Sequence, residues 1–124
     1  MFSYTKDTME KGGRVPVSKI KNQNNWNAGF DIGYPLWQRG EKARKEGDTE
    51  KAISFYDKAR NNGYFAPALY KSYAMAYRKL KDLDSEIEML EEGIARFKAA
   101  KSGNYETGLR DLRNQLEKAK AKRK

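Results

Sequence analysis

Residues 34–66 read YPLWQRGEKARKEGDTEKAISFYDKARNNGYFA, and residues 67–100 read PALYKSYAMAYRKLKDLDSEIEMLEEGIARFKAA. Shifted over one another by 34 residues, they match where helices would cross. Gly40 falls on Ala74 and Ala59 on Gly93, while Asp48 meets Asp82 between two apolar periods. Ile53 meets Ile87, and Tyr56 meets Leu90. Within each unit the apolar residues recur at spacings of three and four, the helical pattern. A repeat of this length built from two helices implies stacked helical hairpins.

The expected helices follow from their ends. Pro35 suits a first helical turn, and Gly47 ends the helix it opens, over 35–46. Leu36, the stem of Arg39, Gly40 and Ala43 share one face. Asp48 or Thr49 caps a second helix carrying Ala52, Ile53, Tyr56 and Ala59, which ends near Asn61-Asn62-Gly63. Pro67 opens a third, with Leu69, Tyr70, Tyr73, Ala74 and Tyr77. Asp84 or Ser85 caps a fourth, with Ile87, Leu90, Ile94 and Phe97. After a break at 101–104, a fifth helix over 105–120 shows one narrow stripe of Tyr105, Leu109, Leu112, Leu116 and Ala119. A helix apolar on one side only is what must end a stack. The small residues matter because helices approach to about 8–10 Å only where crossing side chains are small.

Residues 1–33 give no helical period. Gly12, Gly13, Pro16, Gly29, Gly33 and several asparagines interrupt it. Val15, Val17 and Ile20 suggest a short extended piece. Trp26, Phe30, Ile32 and Tyr34 are too apolar for a free linker, so an irregular arm against the first repeat helix is expected, its first ten residues loose.

Composition narrows function. There is no cysteine and no histidine, hence no disulfide, thiolate or imidazole chemistry. No phosphate-binding glycine loop is present, since Gly12-Gly13 lacks the following Gly-Lys-Ser/Thr. Glu86, Glu88, Glu91 and Glu92 sit on a helix rich in partners and solvent, which speaks against a catalytic or metal site. Neither a cofactor nor an enzymatic activity is expected. No apolar run reaches the roughly 20 residues of a membrane span, and the first residues have no signal-peptide core, which makes a cytoplasmic, membrane-free protein the expectation. The mean hydropathy of −1.02 implies a lean core. The net charge of +9 is uneven: residues 1–40 carry +3, residues 41–98 carry +1 and residues 99–124 carry +5.

Residues 34–97 resemble tetratricopeptide repeats, whose signature is W-x2-L-G-x2-Y, then A-x3-F, then P. Tyr70, Tyr73, Ala74 and Tyr77 stand at the first four positions of the second unit, and Leu36, Arg39, Gly40 and Ala43 at those of the first. Ala52 and Tyr56 match the second half; Glu86 and Leu90 depart from it at the small position, and the closing proline is replaced by Tyr64 and Lys98. The resemblance implies an all-α fold: two helix–turn–helix hairpins at 34–66 and 67–100, and a capping helix with a basic tail at 101–124, wound as a right-handed α-solenoid. It also implies a non-catalytic scaffold whose first helices line a concave groove for a peptide or a partner helix. Trp37, Glu41, Arg44 and Lys45 would face that groove from the first hairpin, and Lys71, Met75, Arg78 and Lys79 from the second, with Tyr105 and Arg113 from the last helix. The five cations of the two hairpins, with the aromatics Trp37 and Tyr105, suit an acidic ligand. Lys71 lacks the paired asparagines of the family's carboxylate clamp. Stable stacks usually need about three repeats, so the arm completes the stack or two chains pair as a homodimer.

Two other functions compete. Lys118, Lys120, Lys122, Arg123 and Lys124 could bind nucleic acid through its phosphates, although no aromatic is interleaved there for base stacking. Self-assembly into a structural piece is the third.

Overall fold

The computed structural model describes residues 13–100 and 105–123. They form five α-helices: α1 (Trp26–Lys45), α2 (Thr49–Asn61), α3 (Pro67–Lys79), α4 (Leu83–Ala99) and α5 (Glu106–Lys122). A short 3-10 helix, Val17–Lys19, precedes them. Among the described residues there is no strand, and no helix is long and apolar enough to cross a membrane. The chain divides into two compact units, Met1–Phe65 and Ala66–Lys124.

In the first unit α1 begins at Trp26, two and a half turns before Pro35, where the sequence pattern places its start. Asn25 caps it, its side chain accepting from the Ala28 amide at 3.1 Å. Gly29 and Gly33, which look like helix breakers, lie inside the helix and are buried against the end of α2. A Cβ on Gly29 would run into the Gly63 backbone, and one on Gly33 into Tyr64 and the Ala59 carbonyl. Each glycine costs a helix about 1 kcal/mol relative to alanine, and the close contact offsets it. Pro35 is exposed, as is Asp31, whose carbonyl loses its intrahelical donor to the proline and faces water instead. The expected irregular arm therefore ends at Asn25.

The segment ahead of α1 runs along α2 rather than α1. Arg14 donates to Asp57 at 2.9 Å, Arg60 donates to the Val15 carbonyl at 2.8 Å, and the Lys21 amide donates to the Asn61 carbonyl at 2.9 Å. Asn61 also donates to the Gly13 carbonyl. Val17 sits in the 3-10 turn, which the Lys19 amide closes on Pro16, so no extended piece forms. The expectation of loose first residues lies outside the described part of the chain, as does the break at 101–104.

The two hairpins turn identically. In the first, the Gly47 amide donates to Arg44 and the Asp48 amide to Ala43, with Gly47 at φ +91°. In the second, the Lys81 amide donates to Arg78 and the Asp82 amide to Tyr77, with Lys81 at φ +60°. This is the left-handed helix stop in which two amides turn back onto the last carbonyls. The next residue then opens the following helix: Asp48 accepts from the Lys51 amide and Asp82 from the Ser85 amide. Asp82, not Asp84 or Ser85, is thus the cap of α4, because the helix stop is already complete at that residue.

Each hairpin also has a tyrosine seated in a glycine notch. Tyr56 of α2 lies over Gly40 of α1, where a Cβ would come within 2.5 Å of the ring. Tyr70 of α3 lies over Gly93 of α4, where a Cβ would come within 2.7 Å. Both tyrosines are wholly buried. Leu69, Tyr73, Ala74, Ile87, Leu90 and Leu112 complete the core of the second unit. There α5 packs on α4 and, less extensively, on α3, with Gly108 against the Pro67 ring. Arg39, expected to lay its stem on the core, is exposed.

Replacing Gly40 by leucine is expected to overpack the notch and lower stability by about 1–3 kcal/mol, and Ala74→Leu by a similar amount. Gly47→Asn, at a left-handed position with nothing within 4 Å, should cost well under either. Chemical denaturation of the three variants checks the order; equal stability of Gly40→Leu and wild type contradicts the notch.

Candidate interaction surfaces

The sequence-predicted groove residues fall into both units, and most of the charged ones have partners. In the first unit Glu41 and Arg44 close on each other and on Tyr56. Arg44 Nη2 donates to Glu41 Oε1 at 2.8 Å, Arg44 Nε donates to the Tyr56 hydroxyl at 3.2 Å, and that hydroxyl donates to Glu41 Oε2 at 2.5 Å. The bond to Glu41 holds the Arg44 guanidinium even more firmly protonated than usual, against the opposing effect of burial. Burial pushes the Tyr56 phenol well above its usual range, and the carboxylate beside it adds to the shift.

Trp37 belongs to an aromatic row that sequence patterning misses. Trp26 stacks on Phe30 at 5.0 Å between ring centres, Phe30 on Tyr34 at 4.8 Å, and Tyr34 on Trp37 at 5.6 Å. Tyr64 packs against the last three rings. The four-residue spacing of Trp26, Phe30 and Tyr34 carried this signal, but Gly29 and Gly33 between them read as breakers. Trp26 remains 49% exposed, its Nε1 donating to the Phe65 carbonyl at 3.4 Å. Beyond Trp37 a shallow cavity of about 540 Å³ runs along α1, lined by Trp37, Gln38, Glu41, Lys42, Lys45 and Glu46. Lys45 is exposed and has no ion pair among the described residues.

In the second unit Lys71 donates to Asp111 at 2.8 Å, which holds that carboxyl below its usual range. Arg78 Nε and Nη2 both donate to one oxygen of Glu86, at 3.1 and 2.9 Å, and Nη2 reaches Gln115 at 3.3 Å. Glu86 is only 2% exposed. The acid at a position where the repeat signature wants a small residue is therefore a buried counter-ion. Met75 is 43% exposed and Lys79 is exposed, so both are open to a ligand. Tyr105 is half-buried against Phe97, 4.7 Å between ring centres, and Arg113 is exposed.

The second notch tyrosine mirrors the first. The Tyr70 hydroxyl donates to Glu92 at 2.8 Å and accepts from Arg96 at 2.9 Å. Burial drives its pKa far up, with Glu92 raising it further and Arg96 opposing. Tyr64, 4% exposed, is pushed up to about 12 by burial, with Tyr34 and Glu41 adding to the shift. Of the basic tail, Lys120 lies 3.8 Å from Glu91 and Arg123 lies 3.4 Å from Asp84. Among the described residues no group of three or more carboxylates gathers as metal ligands.

Compared with protein-family models, with curated proteins and with solved structures, the chain finds no match in any of the three.

Two measurements follow from these contacts. A buried phenol prefers its neutral form, so the folded chain holds that proton longer than the unfolded one. Tyr64 stabilisation is then full below pH 10 and falls as pH rises towards 12, with Tyr56 and Tyr70 steepening the loss. Phenolate absorbance should show these three ionising late and together with unfolding. Arg78→Ala leaves Glu86 buried without its cation and should cost about 3 kcal/mol, whereas Arg78→Ala/Glu86→Met should recover much of it. Equal melting of the single and double variants contradicts the buried pair.

Proposed function

We propose that this chain is a non-catalytic interaction module of the tetratricopeptide kind, in which the first helix of each hairpin, α1 in one and α3 in the other, offers its exposed face to an acidic peptide or partner helix. The observation that supports it most is the repetition of the turn, bond for bond, at a shift of 34 residues. The same shift relates Arg44 to Arg78 and Lys45 to Lys79. Both arginines are clamped by a carboxylate, and both lysines are exposed without an ion pair among the described residues. A first helix that carries such an exposed lysine at the same place in each hairpin suits an acidic ligand.

Lys71 and Arg78 hold Asp111 and Glu86, so reversing them disturbs folding as well as binding. Lys45→Glu/Lys79→Glu is the cleaner test. Affinity capture with the wild type is expected to retain a protein partner that the variant loses by about tenfold, an effect of two charge-assisted contacts. Retention of the same partner by the variant contradicts the groove. Capture that disappears on nuclease treatment would instead favour nucleic-acid binding.

A further inference from the structure

The second unit holds a cationic hollow that shares Arg78 with the proposed groove but is otherwise built from residues the groove does not use. Two adjoining depressions, about 430 and 340 Å³, share Arg78, Glu86 and Lys122 where α3 ends, α4 begins and the last turns of α5 pass. Lys118 lines the larger and Lys81 the smaller. Four cations thus face one carboxylate, and that carboxylate is already engaged by Arg78. Cations in the last turn of a helix commonly do no more than oppose its dipole. Here the last turns of α3 and α5 and the turn residue Lys81 all deliver theirs to the same hollow.

The arginine is also set in place for a ligand. Its Nε and Nη2 are spent on Glu86, a buried side chain that fixes the plane of the guanidinium. Nη1 has no partner among the described residues, and neither have the ammonium groups of Lys81, Lys118 and Lys122. With Nε and Nη2 held by Glu86 and Nη2 also reaching Gln115, the guanidinium is pre-oriented to offer Nη1 to a second carboxylate. Leu83, Ala119 and Ala121 give the walls an apolar part that suits side-chain methylenes. No aromatic ring lines either depression, so bases would have nothing to stack on.

We propose that this hollow is a docking site for an acidic segment of a partner protein, with Arg78, Lys118 and Lys122 receiving its carboxylates. The site lies within the second unit and stands whether or not α1 and α3 form a common groove.

The probe is a short rhodamine-labelled peptide of alternating glutamate and alanine, followed by fluorescence anisotropy at low salt. The wild type is expected to bind it, and Lys118→Glu/Lys122→Glu to weaken it by about tenfold through loss of two charge-assisted contacts. Lys118→Arg/Lys122→Arg should bind as the wild type does. Lys19→Glu/Lys51→Glu, with the same change in net charge on the other unit, should leave affinity within about twofold, as screened distant charges do. Loss confined to Lys118→Glu/Lys122→Glu separates this site from the groove, whereas loss confined to Lys45→Glu/Lys79→Glu would put the probe in the groove and overturn the proposal. Unchanged melting of each variant, followed by circular dichroism, confirms that the fold persists. The proposal is overturned if the wild type does not bind, or if the Lys19/Lys51 variant loses as much as the Lys118/Lys122 variant. It is equally overturned if a thymidine oligomer of matched charge binds more tightly than the peptide.

Discussion

The closeness of α1 to α2 governs the first unit. Gly29, Gly33 and Gly40 remove side chains from the contact, and the backbone and rings of α2 fill the space. Without that approach α1 would lose the partner that offsets three helix-weakening glycines, and its amino-terminal turns would have little reason to exist. The second unit answers the same constraint differently. There the notch belongs to the second helix, at Gly93, and the tyrosine to the first, so bulk and gap have exchanged places between the two hairpins.

A lean core makes polar satisfaction as important as packing. The large buried side chains include several tyrosines, and a buried hydroxyl without a partner is costly. Both notch tyrosines meet the same solution. A glutamate next to the notch glycine accepts a hydrogen bond from the hydroxyl, and an arginine about one turn further along that helix donates to the oxygen. The charged residues that such a sequence offers as binding surface are therefore partly structural. The exposed groups that folding does not use are Lys45, Met75, Lys79, the outer end of the aromatic row and the lysines of the basic hollow.

Much of the fold was legible because its signals are local. Pro67, Asp48 and the three- and four-residue spacings place α2 and α3 from the sequence, and Gly40 and Gly93 announce close crossings. The start of α1 was hidden because glycine has two meanings, chain breaker and helix–helix contact, and only the position of Gly63 and Tyr64 in space tells them apart. Asp82 was passed over as a cap because Lys81 gives no sign that it takes a left-handed turn. The surface was less legible still. Sequence puts Arg44, Lys71 and Arg78 on the right helices, but their partners Tyr56, Asp111 and Glu86 lie on other helices or several turns away. Pairing of that kind follows from tertiary packing, not from spacing.

Pro35 leaves α1 one backbone hydrogen bond short. The missing amide removes one rung from the helix between Asp31 and residue 35, on the side that faces water. The stacked rings straddle that rung, with Phe30 before it and Trp37 after it. Tyr64 touches both, so a single ring from beyond α2 splints the helix across its gap.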